Sequence, residues 1–249
     1  MISVLLPCYR EMRHGYLPAI AQNLATQDGA KEIIAVVTPS EDDTESFLQQ
    51  QPQIRVIVDP TATNRAQRFN RAIAASRGEV ILLHHPATLL PATTALGQIA
   101  AALTDPRVLW GGFRHRFDDD HWLLRFTSWY SNHGRGRWGR ILYFDHCPFV
   151  RRDLLQKLGG VPDLDIFEDT ALSDRLAYYA PPHLLPGTVT TSARRFRQRG
   201  IYRHALLNQG LKLAYRLGVR PQTLNRWYER SAPITVSHWP KPTVNRWQK

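Results

Sequence analysis

Several groups of residues have types and spacing that could do chemistry. Glu168-Asp169 is an acid pair that opens a helical stretch over 167–178. Such acids cap helices, because carboxylates favour the positive end of the helix dipole. A carboxylate there that faces a crevice could also take a proton from a hydroxyl acceptor. His84-His85 closes an apolar run and could touch a phosphate or pack internally; a zinc site would need further ligands at a recognisable spacing, and none is nearby. Residues 191–199, Thr-Ser-Ala-Arg-Arg-Phe-Arg-Gln-Arg, are dense in guanidinium and suit a solvated face, a diphosphate or a nucleic-acid backbone. Asp118-Asp119-Asp120 could hold a divalent ion through carboxylate oxygens, or form a solvated turn and helix cap. Gly134-Arg135-Gly136-Arg137-Trp138-Gly139 matches GxGxxG, but it follows a helical stretch rather than a strand and reads as a flexible basic loop.

Hydrophobic patterning supplies the elements that must position these groups. Apolar runs at 2–6, 32–37, 54–58 and 79–83 predict buried strands. Helical spacing lies between them at 16–26, 41–50 and 65–76, and again at 91–103 with Pro91 in the first turn. The alternation predicts an α/β fold with a mainly parallel sheet covered on both faces. Later segments at 108–117, 142–150 and 188–192 read as strands, and 122–130, 152–158 and 201–217 as helices, so the second half completes the same sheet. The expected organisation is one domain over 1–219, then a C-terminal helix and a basic tail with tryptophans and prolines over 220–249. Ligands of open α/β sheets sit beyond the carboxyl ends of the strands. That directs attention to 8–11, 38–43, 84–88 and the Glu168-Asp169 pair.

The 249 residues are 43% hydrophobic and 21% charged, which excludes a disordered chain. Cys8 and Cys147 read as buried thiols in a reducing compartment. No apolar stretch is long enough to span a bilayer, and the opening residues lack the basic leader of a signal peptide, so a cytoplasmic protein is expected. The net charge of +11 favours anionic partners: nucleotide phosphates, acidic lipid headgroups or nucleic acid. No recognition-helix or RNA-binding motif accompanies the charge, which argues against nucleic acid. The amphipathic, basic 201–217 segment suits either peripheral contact with the inner membrane surface or closure of the domain's own core.

Taken in order, these segments resemble the family 2 glycosyltransferases, and most of all a small soluble bacterial branch associated with arsenosugar biosynthesis and radical-SAM proteins. Pro7-Cys8-Tyr9-Arg10-Glu11 follows the opening pattern, with Arg10 in an asparagine position. Ser40, Asp42 and Thr44 match the next motif, while Val37 replaces its first aspartate. Arg65-Ala66 and Asn70 match the helix before the fourth strand. His84-His85-Pro86-Ala87-Thr88 matches the segment whose aspartate holds a metal, with Ala87 in that place. Phe149–Arg152, Leu158–Gly160, Glu168-Asp169 and Ser192–Phe196 follow in register. The resemblance implies a GT-A, Rossmann-like fold and an inverting transfer of a sugar from a UDP- or GDP-type donor to a hydroxyl acceptor. Asp169 would be the base, Glu168 would orient the site, and Pro7, Glu11, Ser40, Asp42, Arg65, His84, His85, Asp145, Arg194 and Arg195 would contact substrate. It also implies a magnesium or manganese ion, for which Ala87 offers no ligand, so no metal-ligating residue is assigned. Val37, Arg10 and Ala87 leave an alternative: a non-catalytic relative that binds a nucleotide, anionic lipid or protein.

Overall fold

The apolar runs do form the sheet. The computed structural model describes residues 1–230; the tryptophan- and proline-bearing tail from Ser231 lies outside the described residues. Ile2–Cys8 (β1), Lys31–Val37 (β2), Ile54–Val58 (β3) and Val80–Leu83 (β4) are strands, separated by helices Leu17–Ala25 (α1), Thr44–Gln49 (α2) and Arg65–Ala75 (α3). The four strands pair in parallel in the order β3-β2-β1-β4. Side chains alternate between two apolar layers. Val4, Leu6, Ile33, Ala35 and Leu82 enter one, while Leu5, Ile34, Val36, Ile81 and Leu83 enter the other. Burial on both faces explains why β1, β2 and β4 read as nearly continuous hydrophobic runs, while the edge strand β3 is buried only at Ile54.

The second half adds Thr88–Leu89 (β5), Ala95–Ala102 (α4), Trp110–Phe117 (β6), Trp122–Tyr130 (α5), Phe149–Arg151 (β7), Arg152–Lys157 (α6), Glu168–Ala177 (α7), His183–Thr191 (β8), Arg194–Arg199 (α8), Ile201–Arg216 (α9) and Pro221–Arg230 (α10). They extend the sheet to eight strands in the order β3-β2-β1-β4-β7-β6-β8-β5. β7 runs antiparallel between β4 and β6, which makes the sheet mixed while its first half stays parallel. Helices α9 and α10 meet α7 through Phe167, Leu211 and Leu224.

Four expectations are corrected. The helix expected from Pro91 begins at Ala95, because Thr88 and Leu89 first pair with β8 and the Gln27 amide then holds the turn, its Oε1 accepting from Ala95 N. The strand expected over 142–150 is short: Phe144–His146 is a 3-10 turn, Cys147 is left-handed at φ 44°, and only Phe149–Arg151 pairs. The strand expected at 188–192 runs from His183 to Thr191, since its register against β6 shifts between Phe113 and Arg114 and so passes over Pro186 and Gly187. The GxGxxG segment is not a loop but part of a π-helix, Ser131–Trp138, with Gly139 N donating to Gly134 O at 2.9 Å. Its Gly134 permits close contact with the Tyr130 ring, where a Cβ would lie 2.6 Å from Cδ2.

Among the glycines, Gly111 has the closest neighbours. A Cβ there would overlap the carbonyl oxygen of His183 on β8 and sit 2.8 Å from Phe149 Cζ on β7. Gly111→Ala therefore forces β6 away from both neighbours. The expected cost is roughly 2–3 kcal/mol, read as a fall of roughly 5–10 °C in Tm by calorimetry. An unchanged Tm would mean that the β6–β8 register is wrong.

Candidate active site

A cavity of about 650 Å³ opens beyond the ends of β1 and β4 and is roofed by α8, α9 and α10. It is lined by Pro7, Glu11, Arg65, His85, Asp145, Glu168, Asp169, Arg194 and Arg195 among others. Nine of the expected site residues thus share one concavity. Ser40, Asp42 and His84 do not line it.

Their placement has physical reasons. Asp42 organises the loop before α2: its carboxylate accepts from Ser40 Oγ (2.9 Å), Thr44 N (3.3 Å) and Arg13 N (3.2 Å). Thr44 Oγ1 in turn accepts from Glu11 N at 2.8 Å, so this matched motif positions Glu11 rather than facing the cavity. His84 N continues the β1 ladder by donating to Leu5 O, and its ring is fully buried with neither nitrogen paired. Burial holds that imidazole neutral, down to about 3. His85, one residue on, lines the cavity. Its Nδ1 accepts from Ala87 N at 3.2 Å, which leaves the proton of the neutral ring on Nε2. Burial, then the charges of Arg65, Arg194 and Arg195, keep its pKa well below the usual imidazole range. The Asp118 and Asp119 carboxylates neither cap α5 nor form an open acid cluster. They clamp Arg197 of α8 at 3.0 and 3.2 Å, while His121 caps α5 by accepting from Leu123 N.

The acid pair sits at the N-terminus of α7, behind Phe167 in a left-handed conformation (φ 64°) that its stack on Tyr215 of α9 helps hold (4.6 Å between centroids). Glu168 is 2% exposed, and its Oε1 accepts from Arg65 Nε at 2.7 Å. Asp169 is 9% exposed and lies on the cavity wall, not in bulk solvent. Its Oδ1 accepts from Thr170 N at 2.7 Å, and its Oδ2 is 3.8 Å from the Arg65 guanidinium. Burial first, and the neighbouring Glu168 second, raise its pKa above the usual aspartate range against the pull of Arg65. Such a carboxylate is ionised near neutrality yet is a stronger base than a free aspartate, as proton abstraction requires. Opposite it, Asp145 Oδ2 lies 3.4 Å from His115 Nε2. Burial raises the Asp145 pKa less than His115, His146, Lys212 and Arg65 lower it, so that carboxyl stays ionised.

Glu11 Oε2, Arg194 Nη1, both His115 ring nitrogens, Asp145 Oδ1 and Glu168 Oε2 are buried without hydrogen-bond partners, and all belong to cavity-lining residues. Buried polar groups are normally paired, so this concentration marks a site completed by a ligand and water.

The residues present do not fit a divalent ion. Ala87 is buried in the cavity wall with no ligand atom on its side chain, and among the described residues no group of three His, Cys, Asp or Glu could hold a metal. The cavity's acids already have cationic partners: Glu11 with Arg194 at 3.5 Å, and Glu168 and Asp169 with Arg65. Ser192 N donates to Ala87 O at 2.9 Å, which seats the arginine helix α8 beside this position.

Sequence reasoning missed Arg68, His115 and Lys212, all cavity-lining. Arg68 follows Arg65 by three residues on α3, a spacing that could have found it. Its Nη1 donates to Thr38 Oγ1 at 3.0 Å, beside the fully buried Val37. Lys212 carries no comparable signal, because only the packing of α9 over the site brings it in. Burial, with Arg135 next, draws it down to about 7.

The chain is similar to several solved structures. It shares 17% identity and a TM-score of 0.61 with the mannosyltransferase PcManGT from Pyrobaculum calidifontis, in complex with GDP-Man and Mn²⁺, over 90% of this chain and 67% of that one. With residues 1–349 of S. aureus TarS the identity is 15% and the TM-score 0.59, over 77% of this chain and 60% of that one. The chain spans a little less than two thirds of that TarS fragment and 36% of the longer TarS chain. Glucosyl-3-phosphoglycerate synthase from Mycobacterium tuberculosis gives 18% and 0.53, over 77% of this chain and 70% of that one. At these identities the likeness establishes the fold. No curated protein matches the sequence. The model of "Glycosyl transferase family 2" matches residues 3–159, more than half of the chain, and the chain belongs to that family.

Proposed function

We propose that this glycosyltransferase is an inverting, metal-independent enzyme that moves a sugar from a nucleoside-diphosphate donor to a hydroxyl acceptor. The observation that carries the reading is Asp169: a buried carboxylate of raised basicity on the wall of a guanidinium-rich cavity. Asp169 takes the proton of the acceptor hydroxyl. The oxygen forms a bond to the anomeric carbon as the bond from that carbon to the diphosphate breaks on the opposite face. One displacement inverts the configuration. Glu168, held by Arg65, fixes the acid pair, and the unpartnered Oδ1 of Asp145 is available to a sugar or acceptor hydroxyl. Negative charge on the departing diphosphate meets Arg194 and Arg195, with Arg65 and the Nε2–H of His85 nearby. Fixed positive groups in a partly desolvated site stabilise such charge without a metal. PcManGT with GDP-Man and TarS with UDP-GlcNAc support a nucleotide-sugar donor of the UDP or GDP type.

Two further parts belong to this proposal. The arsenosugar-associated branch rests on the matched Phe149–Arg152, Leu158–Gly160 and Ser192–Phe196 segments. A cytoplasmic setting rests on Cys8 and Cys147, both free and buried, with burial pushing the Cys147 thiol up to about 12.

Asp169→Asn is expected to lower kcat by about 10²–10⁴ while the protein stays folded. A raised folded pKa means that ionising Asp169 costs stability. The cost is absent below the ordinary aspartate range and complete once pH exceeds the raised value. The variant should therefore melt at or above the wild-type Tm at pH 7 and lose that advantage in acid. Full activity in Asp169→Asn removes the base assignment. In the wild type, kcat/KM should fall with acid at a pH above the titration of a free aspartate; a profile flat down to pH 4 contradicts this.

Calorimetry with UDP and GDP tests the guanidinium reading separately. Binding should survive EDTA, and Arg194→Ala or Arg195→Ala should weaken it roughly 10- to 100-fold, the loss of one charge-assisted hydrogen bond. Binding that appears only with Mn²⁺ would sink the metal-free mechanism and leave the base untouched.

A further inference from the structure

One face of the molecule combines exposed rings, exposed leucines and unpaired arginines. Along α5, Trp122, Phe126 and Trp129 are each more than half exposed, at intervals of four and three residues that put them on one side of the helix. The other side carries the buried Leu124 and Ser128. Tyr202, Leu206, Leu213 and Leu217 on and just past α9 are 60–76% exposed, again at spacings that make a single stripe. The two rows join where Trp122 Nε1–H donates to Tyr202 OH at 3.1 Å. Phe126 stacks on Trp129, and Trp129 on His133, at 6.0 and 5.5 Å between centroids. Soluble surfaces seldom leave so continuous an apolar patch uncovered unless something docks there.

The charge around it identifies the occupant. Residues 121–144 and 175–228 contain no Asp or Glu. Arg125, Arg137, Arg140 and Arg203 are exposed and, among the described residues, make no ion pair. A second copy of the chain would bring one cationic rim against another, which repels. A nucleic acid would satisfy the arginines but leave Leu206, Leu213 and Leu217 in water. Anionic lipid satisfies both: phosphates for the arginines, and the headgroup–acyl boundary for tryptophan, tyrosine and leucine. Among the described residues no helix is long and apolar enough to cross a membrane, so contact of this kind lies in the plane of the interface.

We propose that the α5–α9 face docks on an anionic membrane surface. The inner sides of the same helices belong to the cavity, through Thr127 on α5 and through Asn208, Leu211 and Lys212 on α9. Docking therefore holds the cavity's outer wall against the headgroups. The proposal does not depend on turnover.

The test is flotation of the full chain with phosphatidylglycerol–phosphatidylcholine vesicles and with phosphatidylcholine alone. The wild type should float with the anionic vesicles and lose that binding as salt rises, since screening weakens surface charge. W122S/F126S/W129S, and independently L206S/L213S, should bind at least about tenfold more weakly, because the interfacial apolar area is gone. Both should keep wild-type circular dichroism and donor binding, neither set of residues lining the cavity. Three results would overturn the proposal: no flotation of the wild type at low salt, flotation of both variants like wild type, or self-association removed by the substitutions without any vesicle binding.

Discussion

The site depends on one guanidinium. Arg65 stands in the first turn of α3, lies over the Phe144 ring at 4.7 Å, and reaches Glu168 at 2.7 Å and Asp169 at 3.8 Å at the head of α7. A carboxylate as buried as Glu168 is costly without a partner, by several kcal/mol. The two helix ends therefore cannot separate without exposing or stranding a charge. Asn64, the cap of α3, strengthens the junction: its Nδ2 donates to Asp163 at 2.8 Å and to Asp165 at 3.3 Å in the loop that leads into α7. A helix of the parallel half and a helix of the later half are thus locked at the point where the acid pair meets the cavity.

The same electrostatics make sense of Ala87. A lone carboxylate at that position, without a cation, would add an unbalanced negative charge to a wall whose other acids already have arginine partners. Beside it stand His85, kept neutral by burial and by three arginines, and the start of α8, which brings Arg194 and Arg195. The absence of an acid at position 87 and the density of guanidinium around the cavity agree in sign. Arginine suits such a site because its planar fork can meet phosphate oxygens in pairs. The clamp of Asp118 and Asp119 on Arg197 anchors α8 on its far side, so the helix is held by one arginine while others face the cavity.

The parallel half was legible because its physics is local. Strands β1, β2 and β4, buried on both faces, must be largely apolar, and Gly or Pro residues flank β2, β3 and β4; 54–58 and 65–76 fall within a residue of β3 and α3. The later half depends on distant partners. Nothing near 142–150 reveals that Phe144 caps a cavity wall beside Phe69 or that Cys147 turns left-handed. The matched motifs give a similar lesson. Ser40 and Asp42 keep their residue types yet build the loop that holds Glu11, and His84 and His85 differ by one step along the chain just past β4, which sends one into the core and the other into the cavity. Local sequence specifies residue type; which side of the sheet or loop it faces is a tertiary fact.

The family match ends at residue 159, and that boundary divides the cavity. Pro7, Glu11, Arg65, His85 and Asp145 lie within it, on the floor formed by the strand ends, while Glu168, Asp169, Arg194, Arg195 and Lys212 lie beyond. The acid pair and the roof thus come from chain beyond the residues that the family model matches. α9 explains why that chain reads ambiguously. It shows polar side chains to the cavity at Asn208 and Lys212, an apolar contact to Phe167 through Leu211, and a second apolar stripe to the outside. A helix with apolar residues on opposite sides loses the simple two-faced pattern from which a core-facing helix is recognised. Its sequence answers to the cavity within and to whatever covers Leu206 and Leu213 without, so its composition follows from two interfaces rather than one.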